Sequence, residues 1–340
     1  MTVTPLPGPI KTLLKSQALS THQRRYVRSN YKGILHRDWR LDLRLEEHVA
    51  AYDACIADPQ TKHIAKRMKR CRLDRRCGVL LCFLCRFLHA FDLNAKVQDG
   101  FRAVSPKRLR FETVLIEAIH GTPDQMTRQM QKIITNFRKL NRLLSAREGI
   151  ASPTNPLIKF GSIDLDVYRC DDVKQLWSAL KSADERKAVK IRLFKILGWR
   201  QEWEGVFVVV HYHAMVAARS SKKYKHILKK MMRGKRRVVI KTLFRTKTVA
   251  ENLRCLSAYI SKVGGRYGAL PGSKKRVLLD PDPMRDLMIA LEPFSFRTLK
   301  LHIGTSNSAR RDLQNQISIS HHYPGPSIPP PQAILPYIAF

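Results

Sequence analysis

Acidic side chains are scarce in this chain of 340 residues: 27 Asp and Glu face 63 Lys and Arg, for a formal net charge of +36. An excess of that size, spread along the whole sequence, calls for a polyanionic partner, nucleic acid first. Long apolar runs are missing too. No stretch reaches the roughly 18 apolar residues that a membrane helix needs, and the N-terminus lacks the positive-then-apolar order of a signal peptide. These absences set the expectation of a cytoplasmic protein with no membrane partner. The cysteines number seven, an odd count that argues against a disulfide framework and for free thiols or metal ligands. What the chain does have is 44% hydrophobic residues, enough to bury a core in one large or two small domains. Mixed helical and strand-like apolar segments fit neither a membrane-surface protein nor a ribosomal-type structural protein.

Residues 1–35 are polar, basic and punctuated by Pro and Gly, and read as a flexible arm. Residues 36–100 read as a helical, cysteine-rich segment, with an amphipathic helix over 37–55. It holds Cys71, Cys77, Cys82 and Cys85 among Lys66, Arg67, Lys69, Arg70, Arg72, Arg75, Arg76 and Arg86. Four thiolates at such spacings suit tetrahedral zinc, and surrounding positive charge favours thiolate over thiol. His89 offers an alternative fourth ligand, and buried free cysteines are the competing reading. The basic residues are expected on the outside of a compact knob, where they can touch phosphates.

Residues 101–305 read as one α+β domain. Strands are expected over 109–116, 157–168, 206–213, 237–244 and 294–303, and helices over 123–145, 220–232, 248–263 and 285–291, with a charged helical region over 172–197. The remainder, 306–340, is a tail in which 323–340 alone holds six prolines.

Three constellations carry chemistry. His211 and His213 end an apolar, β-branched run; residues i and i+2 on a strand share a face, so the two imidazoles can chelate one divalent cation. Asp164 and Asp166 alternate with Ile163, Leu165 and Val167, which puts both carboxylates on one strand face. If the two strands are neighbours, an Asp completes a two-His, one-carboxylate set suited to Mg²⁺ or Mn²⁺. Tyr259 begins Tyr-Ile-Ser-Lys, and Lys262 falls on the same helix face. A tyrosine nucleophile at neutral pH needs its phenolate stabilised, which a cation and a lysine supply. Tyr267, past the Gly264-Gly265 turn, is the rival nucleophile.

Taken together, His211-Tyr212-His213, the aspartate strand and Tyr259-x-x-Lys262 resemble the HUH endonuclease superfamily, and within it the replication initiator (Rep) proteins of plasmids that replicate by rolling circle. The resemblance covers about residues 108 to 268, and the cysteine segment is similar to a stretch that many plasmid Rep proteins carry ahead of the catalytic domain. It implies an antiparallel central sheet flanked by helices, with the histidines on a central strand. It implies Asp166 as the third metal ligand, matched to a family strand that usually carries Glu, with Asp164 as the alternative. Val263 stands where the family often has a second tyrosine, which implies a single-tyrosine mechanism; the tyrosine follows the histidines, as in Rep proteins rather than relaxases. The implied activity is nicking of one DNA strand at an origin by Tyr259, with a 5′-phosphotyrosyl link and a 3′-hydroxyl that primes synthesis. Origin DNA, exposed as a single strand or hairpin, would be the partner, with a host helicase and polymerase. A transposase or relaxase of the same superfamily would share this chemistry. A non-catalytic, zinc-containing nucleic-acid-binding protein would need no Tyr259.

Overall fold

A computed structural model describes residues 39–71, 75–102, 104–145, 157–178, 185–232, 237–243, 246, 248–253, 264–270 and 277–303. Three helices come first, α1 (Trp39–Ile56), α2 (Lys62–Lys69) and α3 (Phe83–Gly100). Then follow β1 (Leu109–Ile119), α4 (Pro123–Ser145), β2 (Ile158–Arg169), α5 (Cys170–Ser178), α6 (Glu185–Ile196), β3 (Val206–Ala217), α7 (Ser221–Met231) and β4 (Val238–Thr242). The last described elements are α8 (Pro281–Leu291), α9 (Phe296–Leu299) and β5 (Lys300–Ile303). The five strands form one sheet in the order β4-β1-β3-β2-β5, every neighbour antiparallel. The fold is thus α+β, with the histidine strand β3 in the middle of the sheet.

Period-2 alternation gives the sheet two faces of different character. One face, with Val114, Ile163, Leu165, Val167, Val210, Tyr212, Ala214 and Val216, belongs to the main core. Against it lies α4, whose Met126, Met130, Ile133, Ile134, Phe137 and Leu144 are buried at helical spacing, started by Pro123 in a position that needs no backbone N–H. Beside α4 packs α7, capped by Ser220, whose hydroxyl accepts the Lys223 N–H, and burying Tyr224 and Leu228. The opposite face is split between two separate apolar clusters. One gathers Leu93, Val97, Phe101, Leu109, Phe111, Phe160, Met215, Ala217 and Leu253. The other gathers Ala118, Tyr168, Val173, Phe194, Leu197, Trp199, Phe207 and Val209.

The cysteine segment is not a knob apart. Ile64, Met68, Cys71, Leu81, Cys82, Leu84 and Cys85 join the same core as the sheet residues, so 39–100 and 101–303 share one interior. Arg86, expected on the outside, is buried, and its guanidinium donates to Glu47 at 2.6 Å. The charged region over 172–197 resolves into the two helices α5 and α6. The strand expected over 294–303 is half helix: Ser295 and Thr298 form a reciprocal capping box that winds α9, and only β5 is extended. Of the helix expected over 248–263, residues 249–253 are helical and the rest lie outside the described residues, as do 1–38 and the tail. Among the described residues no helix is long and apolar enough to cross a membrane.

Candidate metal centres

The pairing of β2 with β3 sets the first site. Asp164 lies directly opposite His211, and Ser162 opposite His213. On the other side of β3, Thr113 of β1 lies opposite His213. The three side chains Asp164, His211 and His213 therefore meet on the face that the two apolar clusters leave between them, with ligand atoms all within 4.8 Å of one another. Asp164 Oδ2 is 3.5 Å from His211 Nε2 and 3.8 Å from His213 Nε2. Those separations exceed a hydrogen bond and are near the roughly 3.0–3.6 Å expected between two ligands of one small divalent ion.

Asp164 and His213 are held from behind. The Leu165 N–H donates to Asp164 Oδ1 at 2.8 Å, which leaves Oδ2 toward the imidazoles. His213 Nδ1 is hydrogen-bonded to the Thr113 hydroxyl at 3.0 Å, which turns Nε2 to the site, and the ring stacks on Phe111 at 5.8 Å between centroids. The set is enclosed, with Asp164 0% exposed. His211 Nε2 is buried and has no hydrogen-bond partner among the described residues. A buried carboxylate beside two imidazoles, one with an orphaned nitrogen, fits a bound cation.

Asp166 stands one strand step along. Its Oδ2 lies 3.6 Å from His211 Nε2, and it is more open to solvent, with its side chain 15% exposed. Asp164, rather than Asp166, is the carboxylate that approaches both histidines. Thr113 gave no signal in the sequence beyond its place in an alternating strand.

Tyr259 and Lys262 lie outside the described residues, but the chain on either side of them is anchored. Leu253 packs in the cluster with Phe111 and Met215, which flank the His213 position on β1 and β3. Past Lys262, Tyr267 bridges to Val167 of β2, and the Gly268 N–H donates to the Val167 carbonyl at 2.7 Å. Tyr267 itself belongs to the core on the opposite sheet face. Its hydroxyl donates to Asp280 at 2.8 Å, and the Arg169 guanidinium lies 4.3 Å over its ring.

The second site is made by Cys71, just past α2, Cys77 in the loop, Cys82 at the N-cap of α3 and Cys85 in its first turn. Their four sulfurs lie within 4.8 Å of one another, with Cys71 Sγ and Cys77 Sγ each 3.5 Å from Cys85 Sγ. The edge of a tetrahedral zinc–sulfur site is about 3.8 Å. Hydrogen bonds from Cys71 and its neighbours hold the Cys85 thiol far below its ordinary value, while the same contacts push Cys82 well above it. The same crowding also draws Cys71 down and pushes Cys77 up, an opposed pull among four close thiols that a bound metal cation would relieve. His89 stays outside this set: it is buried against Phe296, ring centroids 4.5 Å apart.

A chain of ion pairs leads away from the cysteine set. Arg86, next to Cys85, pairs with Glu47 of α1; Glu47 in turn lies 3.3 Å from Arg266, which also pairs with Glu46. Comparison with known proteins finds no matching family model, curated protein or solved structure.

Proposed function

We propose that the chain is a divalent-metal-dependent nuclease that nicks one strand of DNA through Tyr259, as a plasmid rolling-circle initiator of the HUH type does. The observation that carries this reading is the enclosed Asp164–His211–His213 set on the central strand, in a chain of net charge +36. The anchoring of residues on both sides of Tyr259 to the strands that bear this set supports it further. Asp164, His211 and His213 would hold Mg²⁺ or Mn²⁺, which would supply polarisation of the scissile phosphate and offset developing charge. Thr113 keeps the His213 ring oriented, and the paired apolar clusters limit water around the site. The Tyr259 oxygen attacks phosphorus and loses its proton, the bond from phosphorus to the 3′-oxygen breaks, and that oxygen leaves protonated as the 3′-hydroxyl. Lys262 stabilises the phenolate. Because the phosphotyrosyl bond retains the phosphodiester energy, rejoining needs no ATP.

The test is incubation of the full chain with supercoiled plasmid bearing its cognate origin and Mn²⁺. The wild type nicks and stays covalently attached to the 5′ end, and Tyr259→Phe does neither. Normal cutting by Tyr259→Phe together with loss in Tyr267→Phe moves the nucleophile to Tyr267; no effect of either overturns the reading. The four-cysteine set favours one second reading, a zinc-containing nucleic-acid-binding protein without catalysis, which the same experiment separates by the absence of any nick.

A further inference from the structure

The face of the molecule away from the histidines carries a basic array. On α4, Arg128, Lys132, Lys139 and Arg142 are all exposed, together with Thr135, at i, i+4, i+11 and i+14 with Thr135 at i+7. At 3.6 residues per turn these five fall in one straight stripe about 21 Å long. Neighbouring α7 exposes Lys222, Lys223, Lys225 and Lys230. The two helices contact each other. Neither contains an acidic residue beyond Asp124 at the start of α4, and among the described residues no ion pair involves any of these eight cations. Their apolar sides, with Phe137, Tyr224 and Leu228, are fixed in the core under the sheet, so the array rests on rigid elements.

We infer that the outer surface of α4 and α7 binds the phosphate backbone of duplex DNA, on the side of the sheet opposite the metal set. The duplex is favoured over a single strand because single-strand surfaces interleave cations with aromatic platforms for the bases. Here every aromatic residue of the two helices points inward: Phe137 and Tyr224 are buried. A rigid 21 Å line of cations instead matches about six phosphates of one duplex strand, at one per ~3.4 Å of axis. The helical layer, about 10 Å thick with its side chains, and the sheet itself stand between this surface and His211. Duplex held here flanks the cut strand and does not enter the site. The inference rests on the proposed nuclease reading for the choice of DNA, but its test requires no cleavage.

The experiment compares the full chain with a variant carrying Arg128→Gln, Lys132→Gln, Lys139→Gln and Arg142→Gln, exposed changes to a good helix former that keep the fold, as checked by circular dichroism and thermal midpoint. Binding to a short blunt DNA duplex and to a single strand of the same length is titrated over a range of salt. The variant is expected to lose at least ~10-fold in duplex affinity at physiological salt, and its log–log salt slope to flatten by roughly 3 to 4, since each phosphate contact contributes about 0.9. Single-strand affinity stays within about 2-fold, because its contacts lie elsewhere. A control with Arg192→Gln, Lys195→Gln and Arg200→Gln, exposed beside the Phe194–Leu197–Trp199 cluster on the other face of the sheet, keeps the wild-type slope. An unchanged duplex affinity and slope overturns the proposal, and so does an equal loss for single strand and duplex, or stronger binding of duplex RNA than of DNA. A chain that binds duplex through this stripe yet never nicks would sink the nuclease reading and leave the surface standing.

Discussion

At the scale of single residues, the metal set turns on which of two aspartates does the holding. Asp164 is fully enclosed and reaches both imidazoles, whereas Asp166 lies on the rim beside His211. Asp164→Asn is therefore expected to weaken Mn²⁺ binding about 100-fold or more by calorimetry, and Asp166→Asn by about 10-fold or less, in line with the loss of a ligand against that of an outer partner. Equal losses, or a larger one at Asp166, would reverse the assignment. The sequence showed both carboxylates on one face, because alternation along a strand is local. Alternation could not choose between them, and the family resemblance pointed to Asp166, because the choice depends on how β2 is slid against β3. Arg86 was placed on the outside, and its pairing with Glu47 escaped notice, for the same reason: nothing local distinguishes a buried arginine from its exposed neighbours.

His89 supports a prediction of its own. Burial, reinforced by the nearby positive charges of Lys300, His302, Arg44 and Lys96, pushes its imidazole down to about 2. Neither ring nitrogen has a hydrogen-bond partner among the described residues. The unfolded chain binds a proton there near pH 6.5 and the folded chain does not, so this stability is full above about pH 6.5 and drains away as pH falls toward 2. By pH 5 the loss is about 2 kcal/mol, at about 1.4 kcal/mol per pH unit. His89→Leu should remove most of that acid sensitivity, seen as a smaller drop in the chemical-denaturation free energy between pH 7 and pH 5. The same drop in both proteins would show that His89 is not its source.

Among the elements, α3 connects two parts of the molecule that the sequence treated as separate. Its N-cap and first turn supply Cys82 and Cys85, and its later turns place Leu93 and Val97 in the cluster beside His213. Metal analysis of the wild type is expected to find about one zinc in the four-thiol site, lost in Cys82→Ser/Cys85→Ser, since a structural zinc contributes directly to folding. Stripping that zinc with a chelator should raise amide exchange along α3 while the β1–β3 amides stay protected. Unchanged protection of α3 would make the cysteines ordinary core. Elements with a strong period were plain in the sequence, α4 and the β3 strand above all. The region over 294–303 was read as all strand because its apolar residues are too few to show a period, and the Ser295/Thr298 capping pair was the overlooked signal.

On the scale of the whole molecule, the sheet divides labour between its sides: a metal set between two apolar clusters on one, a helical layer with an outward basic array on the other. The central layer is not wholly apolar. Beneath Tyr212, Lys159 of β2 reaches Glu112 of β1 at 2.7 Å, Asn141 of α4 at 2.9 Å and Tyr224 of α7 at 3.1 Å, all buried. Desolvation pulls the Lys159 ammonium below its ordinary value, and the Glu112 carboxylate works against that pull. Lys159 and Asp164 sit on one strand and point to opposite faces. Were β2 to slip by one residue against β3, Lys159 would turn away from Glu112 and leave a lone charge in the interior, at a cost of about 3–5 kcal/mol. The same slip would carry Asp164 away from His211. The buried ion pair thus works as a proofreading key for the opposite side of the sheet, since a chain that folds with its lysine satisfied has already aligned its metal ligands.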